Sequence, residues 1–199
     1  MTDRDKLRAM DTMNMQAELE TERKAWELRK ATKWLQTLAC HAAIHSKDPS
    51  TKTAAAIVTP DRFLQMGIGY NGMPFGTDET DGIWDDRVRK YGKVLHAEAN
   101  ALDMAYRDVT GMYLICLVFP CHVCAGRIVA RGIKKVFHTT IPRPSGTTGE
   151  NGQPLFDLNT HDALSTLRDG GVELVRVPGF FKLVSALEFA PAPWDPEHT

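Results

Sequence analysis

Apolar residues recur at helical spacing between Ala25 and about His45: Leu28, Ala31, Leu35, Leu38, Ala39 and Ala42. A repeat of three and four residues stacks them into one stripe, so the pattern predicts a long helix with one buried face. Pro49 disfavours helix at Asp48, which stops the element at "SKDPST". Ahead of the stripe, residues 1–22 are polar and Met-rich and are expected to form an arm, either helical or disordered.

Beyond the helix the apolar runs shorten. "AAAIVTP" and "RFLQMGIGY" lie on either side of "TPDR" and read as a β-hairpin. "NGMPFGTDETDG" is rich in Gly, Asn and Pro and reads as a loop. Helical spacing returns from about Leu95 to Arg107, followed by a buried strand in "YLICLV". "PCHVCAGRIVARG" then reads as a short helix ended by Gly132, "KKVFHT" as a strand and "IPRPSGTTGENGQP" as a long loop. A helix over 161–169 and a strand in "VELVRV" follow, then an amphipathic segment, "FFKLVSALEF", and an irregular end.

The resulting order, α-β-β-α-β-α-β-α-β, predicts an α/β fold: a three-layer α-β-α sandwich around a mixed five-stranded sheet. The first two strands are expected to pair antiparallel, and strands separated by helices to pair parallel. The expected organisation is an arm at 1–22, one domain at 23–180 and a tail at 181–199.

Composition adds limits. The 199 residues suffice for one domain with a real core, and 43 % hydrophobic with 25 % charged residues is ordinary for a soluble protein. A net charge of -1 argues against general attraction to nucleic acid or an anionic membrane. No apolar run approaches the roughly 20 residues of a membrane span, and the N-terminus lacks the apolar region of a secretory signal. The four cysteines, Cys40, Cys116, Cys121 and Cys124, are too few for a disulfide scaffold, so a reducing, cytoplasmic setting is expected.

Two short stretches carry chemistry. "KVLHAEANALDMA" sets His96 and Glu98 two residues apart at the front of a helix, and "FPCHVCAGRI" later supplies Cys121 and Cys124 as a C-x2-C pair. A catalytic zinc takes three nitrogen or thiolate ligands and keeps one vertex open, which His96, Cys121 and Cys124 satisfy. Helix N-termini favour the thiolates. Zinc lowers the pKa of a coordinated water from about 15.7 towards 7, and Glu98, pointing into the same cavity, would shuttle the proton. A closed structural site would need a fourth donor from His122, Cys116 or His138, and the last two sit in apolar strands that suit core positions.

These pieces resemble the zinc-dependent nucleobase deaminases, whose signature is H-x-E followed by P-C-x-x-C. Within that superfamily the chain is most similar to the deoxycytidylate (dCMP) deaminases. "SKDPST", "GIGYNGMPFG", "HAEANA", "FPCHVCAGRI" and "ARGIKKV" occur in family order from about Lys33 to Thr139. The resemblance implies a cytidine deaminase-like fold, Zn²⁺ on His96, Cys121 and Cys124, and Glu98 as proton shuttle. It implies substrate contacts from Asn71, Ala97, Ser46 and Thr53, and a nucleotide loop at Gly69, Tyr70 and Gly72. The implied reaction is attack at C4 of cytosine with loss of ammonia, converting dCMP to dUMP. Family members are homo-oligomers, commonly hexamers, with dimers or trimers as alternatives. Many respond to dCTP with Mg²⁺ and to dTTP.

The loop chemistry reads in two ways. Gly67, Gly69, Gly72 and Gly76 permit close backbone approach or positive φ, and an Asn71 amide can both donate and accept, as a nucleoside edge requires. A plain hairpin loop also explains "NG". Phosphate candidates are Ser46, Lys47, Lys52, Thr53 and Arg62, or the cluster Arg87, Arg89, Lys90 and Lys93, whose bland alternative is a solvated face. Departures from the family pattern are Ala54 and Ala55 in place of Val-Gly, a longer 141–154 loop, and no Tyr in "HTTIPRPSG". Tyr70, Phe75 and Phe119 are expected to supply stacking instead. The alternatives are a deaminase of dCTP, modified dCMP, guanine or tRNA adenosine, or a zinc-binding module without catalysis, for which Glu98 would have no use.

Overall fold

The computed structural model describes residues 3–80, 82–139 and 160–178. The 141–154 loop, the 181–199 tail and its amphipathic segment lie outside the described residues. The elements are α1 (Asp3–His45), β1 (Ala54–Val58), β2 (Gln65–Tyr70), α2 (Arg87–Lys93), α3 (Ala97–Asp103), β3 (Tyr113–Cys116), α4 (His122–Ala130), β4 (Lys135–His138), α5 (Thr160–Asp169) and β5 (Glu173–Arg176). No helix among the described residues is long and apolar enough to cross a membrane.

One five-stranded sheet runs in the order β2-β1-β3-β4-β5. β1 pairs antiparallel with both β2 and β3, and β4 pairs parallel with both β3 and β5. The sheet is thus mixed, as the strand and helix order predicts. The antiparallel β1–β3 pairing is an addition: β3 follows a helix, but it docks beside β1 and so runs parallel to β2 without touching it.

Period-two alternation splits the strands between two cores. Ala54, Ala56, Val58, Tyr113, Ile115 and Phe137 pack on Ala31, Leu35, Leu38 and Ala42 of α1. Ala55, Ile57, Leu114, Cys116 and Val136 face Ala97, Ala101 and Leu102 of α3, Ala125 and Ile128 of α4, and Ala163 and Leu167 of α5. The three layers follow directly: α1 on one face, α3, α4 and α5 on the other.

Three boundaries differ from the sequence reading. α1 begins at Asp3 rather than near Ala25, although every residue from Asp11 to Ala25 is exposed. α3 is shorter than the expected Leu95–Arg107, because Leu95 is held extended by a two-bond bridge to Gly72, at 2.8 and 3.1 Å. The basic cluster at 87–93 is a helix, α2, capped by Asp86, whose carboxylate accepts from the Arg89 amide at 3.0 Å.

Strand register decides where the working loops meet. Ala54 lies opposite Tyr70, Ala55 opposite Cys116, and Cys116 opposite His138. The start of β1 and the carboxyl ends of β2, β3 and β4 therefore share one edge of the sheet, where α/β folds commonly place their sites. Segments 46–53, 71–76, 95–96 and 117–121 all attach there.

The opposite edge is closed by polar contacts. Lys135 Nζ lies 2.5 Å from Glu27 Oε2 and 3.1 Å from Glu173 Oε2, and the Tyr113 hydroxyl donates to Glu27 Oε1 at 3.0 Å. Both Glu27 and Lys135 are buried, so this group locks α1 to the sheet away from the working edge.

Candidate metal centre and surrounding loops

His96 and Cys121 are the residues just ahead of α3 and α4, both with extended backbone, and neither spends its side chain on a helix cap. Cys124 follows in the first turn of α4. His96 Nδ1 lies 3.3 Å from Cys121 Sγ and 3.5 Å from Cys124 Sγ, and the three ligand atoms fall within 4.8 Å of one another. Tetrahedral zinc, with Zn–N about 2.0–2.1 Å and Zn–S about 2.3 Å, sets its N···S ligand pairs about 3.6 Å apart. The donor set and its spacing fit that ion, with Nδ1 as the ligating nitrogen. Among the described residues no other group of three or more such side chains forms.

Backbone packing holds the two helix mouths in place. An ideal Cβ on Gly69 would lie 2.4 Å from the Ala101 amide nitrogen and 2.7 Å from the Ala97 carbonyl, and one on Gly67 would lie 2.4 Å from the Ala101 carbonyl. Those glycines let α3 rest directly on β2. Helix–strand packing is thus a structural use of Gly69. Asn100 Nδ2 donates to the Tyr70 carbonyl at 2.7 Å, and an Arg127–Asp103 ion pair joins α4 to α3.

The electrostatics set the two thiols apart, favouring the thiolate at Cys121 and the protonated thiol at Cys124. A hydrogen bond from Cys124 and the adjacent His96 ring lower the Cys121 thiol to about 4, while that same bond and burial push Cys124 up. Glu98 is buried in the first turn of α3, and the Cys124 thiol points at its Oε2 from 3.8 Å. Burial raises the Glu98 carboxyl above its ordinary value, and the His96 ring opposes that rise. Cys116 is also raised by burial and donates to the Phe137 carbonyl at 3.6 Å, which fits its expected core role. His138 is buried against Phe119, with ring centroids 4.8 Å apart, and His122 is exposed.

The loops beside the centre are tied by a buried polar knot. Asn71 Nδ2 donates to the Thr51 carbonyl at 2.8 Å and to Asp48 Oδ2 at 3.3 Å. Its Oδ1 accepts from the Thr53 amide and the Ser46 hydroxyl, each at 2.9 Å. Both donor positions of the amide and its oxygen are engaged within the chain, the Ser46 hydroxyl lying equally close, at 2.9 Å, to Oδ1 and to the Asn71 carbonyl. Asn71 thus joins the 46–53 loop to the end of β2 beside the metal centre, with Ser46 and Thr53 as partners in that joint.

The phosphate candidates separate. Lys90 is buried, 3.2 Å from Asp48 Oδ1 and 2.6 Å from Ser50 Oγ. Lys47 pairs with Glu79 at 3.1 Å, and Lys52 donates to the Ser46 carbonyl at 2.6 Å. Arg62 sits in the turn between β1 and β2, at the opposite edge of the sheet, and pairs with Asp61 at 3.4 Å. That placement removes Arg62 from the site. Of the expected stacking residues, Tyr70 stacks on His45 at 5.5 Å, Phe119 is buried, and Phe75 is fully exposed.

Residues 29–140 match the family model described as the cytidine and deoxycytidylate deaminase zinc-binding region. The chain belongs to this family. His96, Glu98, Cys121 and Cys124 all fall inside the matched stretch of this deaminase-family chain. An uncharacterized deaminase of Aliivibrio fischeri is 42 % identical over 92 residues, covering 46 % of this chain and 60 % of that protein. A deoxycytidylate deaminase of Pongo abelii is 33 % identical over 131 residues, covering 63 % of this chain and 73 % of that protein. The dCMP deaminase of cyanophage S-TIM5 in its apo form shares the fold, with a TM-score of 0.53 at 22 % identity, over 74 % of this chain and 97 % of that one.

Sequence reasoning missed three parts of this family member's site. Lys90 stood in a cluster read as a phosphate candidate or a solvated face, Asp48 was noted only for the helix stop beside it, and Asn100 was unremarked. No local pattern marks a lysine whose partner lies 42 residues away. The one available signal was Asp86, a good helix cap that predicts helical spacing for 87–93.

Proposed function

We propose that this chain hydrolyses dCMP to dUMP and ammonia with zinc as cofactor. The observation that carries the reading is the meeting of His96 Nδ1, Cys121 Sγ and Cys124 Sγ beside the buried Glu98 carboxyl. The substrate class rests on relatives named deoxycytidylate deaminase, from Pongo abelii to Homo sapiens.

His96, Cys121 and Cys124 would hold the ion, and three ligands suit a catalytic rather than a closed site. Bound there, zinc would supply Lewis acidity towards water and substrate. Glu98 accepts a proton from the water whose oxygen adds to C4 of cytosine and gives it to the ring N3, then carries the second water proton from the new C4 hydroxyl to the amino group, which leaves as C4=O forms. One water is consumed and one ammonia leaves. A carboxyl whose proton affinity is raised by burial suits that double role. The Ala97 amide, in the first turn of α3, has no intrahelical acceptor and is assigned to the pyrimidine. Ser46, Thr53 and Asn71 are assigned to the wall beneath the nucleotide, acting through the loops they join.

The same reading extends to regulation and assembly. The loop at Gly69, Tyr70 and Gly72, running on to Gly76, is the proposed seat of a nucleotide effector, dCTP with Mg²⁺ or dTTP. Phe75 offers an exposed ring for stacking, and Gly76 takes a φ of 82°. A cytoplasmic homo-oligomer completes the proposal.

Ammonia release from zinc-loaded protein, measured on dCMP, dCTP, hydroxymethyl-dCMP, CMP and deoxycytidine with and without dCTP, tests it. Fastest turnover of dCMP is expected. Turnover of another member with dCMP untouched would overturn the substrate, and no turnover of any would overturn the enzyme.

A further inference from the structure

We propose that the outer face of α1 docks a second copy of this chain, its α1 running antiparallel to the first. This inference is independent of the proposed reaction.

The two halves of α1 have different surroundings. Ala31, Leu35, Leu38 and Ala42 bury the second half against the sheet. From Asp11 to Ala25 every residue is exposed, including Met13 at 68 %, Met15 at 56 % and Leu19 at 58 %. Helical stability in proteins comes mostly from tertiary packing, and this stretch has no buried residue; Arg23 at its end reaches the Tyr113 hydroxyl at 3.2 Å.

The charges along the helix indicate what covers it. Glu18, Glu22, Arg29 and Lys33 are all exposed. At 3.6 residues per turn they fall within an arc of about 60°. None of the four side chains forms an ion pair with a described residue. Glu18 and Glu22 are four residues apart, as are Arg29 and Lys33, so each couple is a like-charge neighbour pair that weakens an isolated helix.

A second copy reverses both penalties. A two-fold axis crossing the helix between Ala25 and Trp26 sets Glu18 against the other copy's Lys33 and Glu22 against its Arg29. The two-fold then repeats each pair in the other direction. A parallel, in-register pairing would set acid against acid, so the pattern selects the antiparallel arrangement. The shallow depression lined by Leu19, Glu22, Trp26 and Arg29 lies at the centre of that seam and gives it apolar contact. An acidic or basic partner of another kind would satisfy only one half of the face.

The test compares full-length zinc-loaded wild type with E18K/E22K and R29E/K33E by sedimentation equilibrium at low salt, with circular dichroism to establish that each is folded. Relative to wild type, each variant alone is expected to lose two-fold in assembly mass, and a 1:1 mixture of the two to regain it. Masses unchanged in both variants, no recovery on mixing, or a monomeric wild type at tens of micromolar would each overturn the proposal.

Discussion

Lys90 Nζ lies 3.2 Å from Asp48 Oδ1 with both side chains only 4 % exposed, so a buried ion pair fastens α2 to the loop that precedes β1. Removing one partner of such a pair leaves an uncompensated buried charge, which costs about 3–5 kcal/mol. Lys90→Met is expected to lower the unfolding free energy by that amount. Lys47→Met, which breaks the more exposed pair with Glu79, should cost about 0–1 kcal/mol. Urea denaturation of both variants decides it. Equal losses would mean that the Asp48–Lys90 contact contributes no more than a surface pair.

The same contact makes a prediction in acid. Burial pushes the Asp48 carboxyl up, but the Ser50 amide and hydroxyl, the Thr51 amide and Lys90 outweigh it and hold the group below its ordinary 3.8. A carboxyl depressed by folding contributes stability that is complete above its unfolded value and is lost as pH falls through the folded one. The loss therefore begins below about pH 4. The melting temperature of wild type should fall more steeply between pH 5 and 3 than that of Asp48→Asn, which is less stable at neutral pH but has no carboxyl there to titrate. Parallel curves would remove Asp48 from the acid response.

How far the sequence anticipated these features depends on the range of the interaction. The α1 stripe, the β1–β2 hairpin and the sheet of mixed sense are encoded by local period and turn residues, and they stand where the pattern puts them. His96, Cys121 and Cys124 were legible because a metal site constrains residue type and spacing tightly. The Asn71 amide is harder to read, because its chemistry suits a nucleoside edge and a loop joint equally. Only the fold places Ser46, Asp48, Thr51 and Thr53 around it. Gly69 is ambiguous in the same way: a glycine tolerates a ligand or a helix at close range, and α3 packs against it.

Two glycine substitutions separate those uses. Gly69→Ala places a Cβ 2.4 Å from the Ala101 amide nitrogen, a backbone atom that cannot move without α3. Overpacking costs roughly 1–3 kcal/mol and occasionally more, and a clash with backbone belongs at the upper end. It also displaces the helix that presents His96 and Glu98, so zinc content should fall with stability. Gly76→Ala meets no atom within 4 Å and costs only the strain of a φ of 82°, about 1–2 kcal/mol. It should keep its metal. Thermal melts with metal analysis on the purified variants check both, and full zinc content in Gly69→Ala would sink the packing argument.

Glu98→Gln probes the proposed chemistry while sparing the ligands. The amide keeps the size of the buried side chain and can still hydrogen-bond, so His96, Cys121 and Cys124 should retain zinc and the melting temperature should change little. The substitution removes the only function asked of Glu98, reversible proton binding. General acid–base groups contribute about 10²–10⁴ in rate. The expected result is a loss of at least that order in kcat with zinc still bound. Cys124→Ser should instead lose metal first and activity as a consequence, because one of three ligands is gone. If Glu98→Gln turns over dCMP at the wild-type rate, the proton must travel by another group, and a buried carboxyl whose Oε2 is 3.8 Å from the Cys124 thiol would be part of the ligand environment rather than of the reaction.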